Sequence, residues 1–94
     1  MVYLLVSHKV KDYAKWKPAF DEHGDFRKAN GSKGGRIFRS TEDPNRLTVL
    51  FEWESADKAR EFAQSPELRA AMEEAGVIGQ PDASFLEEIE SFGK

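Results

Sequence analysis

The chain of 94 residues contains no cysteine. That excludes a disulfide framework, a cysteine-based zinc ribbon and thiol catalysis. Histidine is scarce, with two copies, and both fall in one stretch, HKVKDYAKWKPAFDEH, residues 8–23. Positive charge is in deficit: 14 Lys and Arg face 17 Asp and Glu, a net charge of −3. A nucleic-acid partner needs a concentrated basic surface to neutralise phosphates, and none is present. Nor does any basic block seek an anionic membrane. Long apolar runs are missing too. MVYLLV at the N-terminus lacks the charged lead of a signal peptide, and nothing approaches the ~20 apolar residues of a membrane span. The expectation is a cytoplasmic protein with neither nucleic acid nor membrane as partner.

What is there fits one small globular domain over residues 1–94, with 39% hydrophobic, 33% charged and 12% aromatic residues. A chain of this size buries roughly 60–65% of its unfolded surface. From Val2 to Val10 the residues alternate, setting Val2, Leu4, Val6, His8 and Val10 on one face and Tyr3, Leu5, Ser7 and Lys9 on the other. Asp12 is a helix N-cap, and Tyr13, Trp16, Phe20, His23 and Arg27 follow at helical spacing towards Asn30-Gly31. Pro18 leaves two helix starts open. Either Asp12 caps and Pro18 interrupts the helix, or a short first turn precedes a main helix that starts near Lys17 with Pro18 at its first helical position. GSKGG reads as a loop before a strand from Arg36 to Thr41. EDPNR is a turn, and Arg46 to Glu54 alternates as the second arm of a hairpin. Ser55 caps another helix, and Ser65-Pro66 restarts it. GVIGQPD reads as a loop, and Ala83 to Phe92 as the last strand, with Phe85 and Ile89 on one face. No internal repeat and no low-complexity tract appear.

The element order is β-α-β-β-α-β, the plan of an α+β ferredoxin-like sandwich. It puts an antiparallel four-stranded sheet under two helices. The uncovered sheet face carries Tyr3, Leu5, Leu50 and one of Ile37 or Phe38. Burying each against a second copy contributes about 1.5–3 kcal/mol, so a homodimer through the open face is expected.

HKVKDYAKWKPAFDEH, GSKGGRIFR and the run from VLFEWES to EEAGV together resemble the dimeric α/β-barrel superfamily. Within it the chain is most similar to small bacterial proteins grouped with antibiotic-biosynthesis monooxygenases and often called cyclases. The resemblance spans nearly the whole chain. It implies two sheets packed face to face as a dimeric barrel, with a ligand cavity in each subunit between sheet and helices. It also implies a polar residue late in the first strand, matched by His8 or by Ser7, and an aromatic residue in the third strand, matched by Trp53 or Phe51. Alternation favours His8, which faces the helices. Haem-degrading relatives carry an axial histidine on the second helix, and residues 56–75 contain none.

The spacing also tests a metal site. His8 lies roughly 6–7 Å back from the strand end and His23 about 16 Å along the helix, leaving on the order of 10 Å between them. Both ring nitrogens must come within ~2 Å of a shared ion, so no metal is expected. No other cofactor is expected either. The same arithmetic brings Trp16 level with His8, with Tyr13 and Phe20 one turn to either side. His8 is then a lone imidazole among aromatics, suited to act as a general base near neutral pH. The candidate site is His8 as the base, with Tyr13, Trp16, Phe20, His23, Phe51 and Trp53 around a small aromatic ligand. The competing reading has His8 hydrogen-bonded to a helix carbonyl or to Ser7 in an ordinary core. No serine elbow and no phosphate-binding glycine loop compete for the chemistry. Two function classes stand: a cofactor-free monooxygenase or polyketide-cyclase type of enzyme, and a non-catalytic dimeric ligand-binding or stress-related protein.

Overall fold

The computed structural model describes residues 2–93. The elements run β1 (Val2–Val10), α1 (Tyr13–Glu22), α2 (Gly24–Ala29), β2 (Ser32–Arg39), β3 (Arg46–Trp53), α3 (Ala56–Ala63), α4 (Pro66–Ala75) and β4 (Val77–Glu87). The strands form one antiparallel sheet in the order β2-β3-β1-β4. This is the expected ferredoxin-like arrangement, one sheet covered on one face by two helical segments, each broken in two.

Alternation in β1 and β3 builds the core. Leu4 pairs with Phe51, Val6 with Val49 and His8 with Leu47, and all six are buried under the helices. Trp16 and Phe62 close the core from above. Local capping sets the helix starts. The Asp12 carboxylate accepts the Ala14 N–H at 2.9 Å, Ser55 Oγ accepts from Lys58 at 3.2 Å and Ser65 Oγ from Leu68 at 3.2 Å. Of the two starts open for α1, the structure takes the early one. Pro18 lies inside α1 on its exposed side, where its missing N–H leaves the preceding turn one backbone bond short.

Three expectations are corrected. The first helix does not run through to Asn30, because His23 ends α1 and Gly24 begins α2. GSKGG is not a loop before β2. The strand starts at Ser32 and stops at Arg39, short of Thr41. GVIGQPD is not a loop either. Gly76 caps α4 in the left-handed conformation (φ 84°), the strand begins at once with Val77, and β4 ends at Glu87 rather than Phe92. Ile89 therefore lies beyond the strand, nearly fully exposed, and shares no sheet face with Phe85.

Gly35 shows why glycine stands inside β2. A Cβ built there would overlap the Leu50 carbonyl oxygen and crowd Phe51 Cα, both backbone atoms of the neighbouring strand. Gly35→Ala is expected to force β2 off β3 and cost about 3 kcal/mol, the upper range of overpacking. A chemical-denaturation midpoint equal to wild type would contradict this.

The open face runs across all four strands. Leu5 pairs with Leu50, Tyr3 with Leu86, and Phe38 with Thr48. Of Ile37 and Phe38, the second is on this face, while Ile37 packs against the core. Phe38 and Leu86 are 48% and 42% exposed.

Candidate functional site

His8 sits where the sheet is irregular. β1 pairs with β4 at Ser7–Asp82 and next at Lys9–Ile78, so Gly79, Gln80 and Pro81 stand opposite His8 alone. Gly79 turns the bulge at φ 71°. Bulges bend a strand and re-aim side chains, and here one flanks the only buried ionisable side chain among the described residues.

The His8 side chain points up into the helical layer and is 5% exposed. Its ring lies 5.8 Å from that of Trp16, which in turn stacks on Phe20 at 4.8 Å. Neither imidazole nitrogen has a hydrogen-bond partner within the protein. Ser7 Oγ instead accepts from Thr48 Oγ1 at 3.3 Å. No helix carbonyl reaches the ring, so the hydrogen-bonded core histidine of the competing reading is not what the structure shows. Burial, with a smaller push from Arg46, holds the His8 pKa below its ordinary value. Both effects favour the neutral ring, whose unprotonated nitrogen keeps a free lone pair.

His8 forms part of the wall of an apolar cavity of about 40 Å³ under α1, α2 and α4. Trp16, Phe20, His23 and Phe51 line it as well. His23 is half-buried and stacks on Phe26 at 4.7 Å. Two expected members are elsewhere. Trp53 is fully buried against Phe62 at 4.7 Å and is not on the cavity wall. Tyr13 lies outside the lining, with the Arg39 guanidinium 4.6 Å above its ring. Arg27, Phe62 and Met72, none of them among the expected site residues, also line the cavity. Arg27 had left a signal: it is the one cation in an otherwise aromatic helical stripe. Its volume is well below the ~150 Å³ of an apolar cavity that takes benzene.

The profile of antibiotic biosynthesis monooxygenases matches residues 7–74. The chain belongs to that family. Among solved structures, a candidate antibiotic biosynthesis monooxygenase of Bordetella bronchiseptica superposes with a TM-score of 0.77 at 21% identity, covering 95% of this chain and 97% of that one. A similar protein of Caulobacter crescentus gives 0.74 at 21% identity, with coverage of 95% and 90%. SnoaB, a cofactor-independent oxygenase from Streptomyces nogalater, gives 0.79 at 13% identity, covering 99% and 97%. At these identities the structural likeness speaks for the fold. A comparison with functionally curated proteins found no match.

Membership of the monooxygenase family sets the broad type of chemistry, that of a small-molecule enzyme in the monooxygenase and cyclase class. Among the described residues no group of three or more His, Cys, Asp or Glu is placed to hold a metal ion. No helix among them is long and apolar enough to cross a membrane.

The buried histidine of this monooxygenase-family chain makes stability depend on pH. The folded-state pKa of His8 lies below the ordinary 6.5, so between the two values the unfolded chain binds a proton that the fold does not. Stability is full above pH 6.5 and falls as pH drops towards the folded pKa, by at most about 1.4 kcal/mol per pH unit for one group. His23, also lowered mainly by burial, acts in the same direction. Asp43, held low first by the Asn45 N–H, loses its contribution only in stronger acid. Melting curves from pH 7.5 to 5 should therefore drop steadily in wild type and less steeply in His8→Leu. Parallel curves for the two proteins would contradict the burial of a neutral ring.

Proposed function

We propose that the protein is a cofactor-free oxygenase or cyclase acting on an aromatic or polyketide-like substrate, with His8 as the general base. One observation carries this: a buried imidazole whose two nitrogens have no protein partner, on the wall of an apolar cavity. A core position selected for stability alone would hold valine or leucine, since a buried polar group without a partner is costly. Deprotonation of a CH₂ made acidic by an aryl ketone, adjacent to it or conjugated with it through the ring as in anthrone, leaves an enolate. In a cyclase the enolate carbon attacks a second carbonyl. In an oxygenase it reacts with O₂, and R₂CH₂ plus O₂ becomes R₂C=O plus H₂O, the substrate supplying all the electrons. Seating a ring requires the cavity to widen, and Met72 on its wall, with its unbranched side chain, is suited to that movement.

The second part of the proposal is assembly. Leu5, Leu50, Phe38 and Leu86 give the open face an apolar row across four strands. At its margin Tyr3 Oη donates to Glu88 at 2.8 Å, and beyond Glu88 the nearly fully exposed Ile89 and Phe92 extend the apolar surface. A second copy of this chain covers that surface and completes the dimeric barrel.

The test of activity is oxygen uptake with anthrone as substrate in the presence of a metal chelator. One O₂ consumed per anthrone, above the buffer rate, supports the oxygenase. Saturable anthrone binding without oxygen uptake or cyclisation returns the protein to the class of non-catalytic ligand binders.

A further inference from the structure

Arg27 divides two cavities. On one side is the His8 cavity. On the other is a space of about 130 Å³ at the β2 edge, floored by Gly34 and Gly35. The two share Phe20, Arg27, Val49 and Phe51 as walls. Beyond Arg27 an open groove carries Lys28 and Lys33, with Glu54 across it. The break between α1 and α2 folds Arg27 back over Phe20, its guanidinium carbon 3.8 Å from the ring centroid. Arg27 Nη1 donates to the Phe20 carbonyl at 2.9 Å, capping the end of α1.

That cap uses one of five donors in the guanidinium fork. No other side-chain bond from Arg27 is formed among the described residues, and no carboxylate lies within 4.0 Å of it. Asp21, close in sequence, is held by Lys17 at 2.7 Å. An arginine half-buried between apolar walls with most of its fork unused is a poor choice for a cap alone, since a lysine or an amide would serve. A fork of this kind matches a carboxylate with two parallel hydrogen bonds.

We infer that Arg27 is the specificity-determining residue of the site and selects a planar aromatic ligand that bears a carboxylate. The inference rests on the reading of the His8 cavity as a ligand site. The ring occupies the space joined when the Phe20 ring moves from between the two cavities, and the carboxylate meets the Arg27 fork, which stays at the divide.

The test uses a matched pair of probes, naphthalene-2-carboxylate and the neutral naphthalene-2-carboxamide, titrated by tryptophan fluorescence. Wild type should bind the carboxylate about ten- to a hundredfold more tightly, the range of a charged hydrogen-bond pair. Arg27→Gln should weaken the carboxylate alone and close the gap, while Arg27→Lys keeps part of it. Equal affinity for the two probes in wild type, both excluded by the cavity-filling Ala71→Trp, overturns the role of Arg27 and leaves the cavity reading standing. A gap that persists in Arg27→Gln also overturns it. Failure of both probes to bind wild type at millimolar concentration overturns the cavity reading and this inference together.

Discussion

Replacing His8 by leucine is expected to leave the fold intact, raise its melting temperature and remove turnover. The stability gain follows from the two ring nitrogens, which are buried without protein partners. Removing an unsatisfied buried polar group returns about 1–3 kcal/mol. For a domain of this size each kcal/mol moves the melting temperature by roughly 4–8 °C. Leucine also suits the surroundings of Val6, Leu47 and Val10, which are buried beside it. The loss of activity should be roughly 10²–10⁴-fold, the usual contribution of a positioned base. Stability and activity then move in opposite directions. A lower melting temperature with unchanged ligand affinity would mean that His8 serves the fold.

Leu50→Lys is expected to abolish the proposed dimer. Leu50 is central on the open face, paired across to Leu5 on one side and to Arg36 on the other. Lysine there points away from the helical core, so a monomer can keep its internal packing, but the charge must be desolvated if a second sheet docks on it. The apolar contribution of about 1.5–3 kcal/mol per buried side chain is lost as well. Sedimentation at about 10 µM, above the Kd of about 1 µM that an association of about −8.2 kcal/mol gives, should show wild type at twice 10.7 kDa and the variant as monomer or unfolded chain. A wild type that sediments as a monomer there would contradict the interface.

Strands whose residues carry side chains on both faces were legible in the sequence. In β1 and β3 the alternation is complete, and it placed His8 towards the helices and Leu5 and Leu50 on the opposite face. The glycine-rich strand was not legible. Gly34 and Gly35 supply no side chains to alternate, and what they do in β2 depends on the approach of β3, a tertiary contact. β4 was hidden for a related reason. Gly79 and Pro81 are turn residues by composition, yet β4 is an edge strand, where a bulge and a proline are tolerated. The break at His23 lay inside a helical stripe that continues to Arg27, so periodicity gave no warning.

The site follows the same pattern. Residues one helical turn from Trp16 could be counted off a helix axis, which set His8 beside Trp16. Axis counting does not give the direction of a ring, and Tyr13 turns out towards Arg39. Trp53 shares the inner face of β3 with Phe51, but it sits further along the strand, under Phe62. Arg27 reaches the cavity because the chain bends between α1 and α2, which a straight helix does not reveal.

The most direct test of the central claim compares initial rates of oxygen uptake with anthrone for wild type and His8→Leu, in chelator, across pH 5 to 8. The account predicts uptake by wild type that declines in acid as His8 protonates, with an apparent pKa below its ordinary 6.5, and only the buffer rate for His8→Leu at every pH. A folded His8→Leu protein that consumes oxygen at the wild-type rate would contradict it.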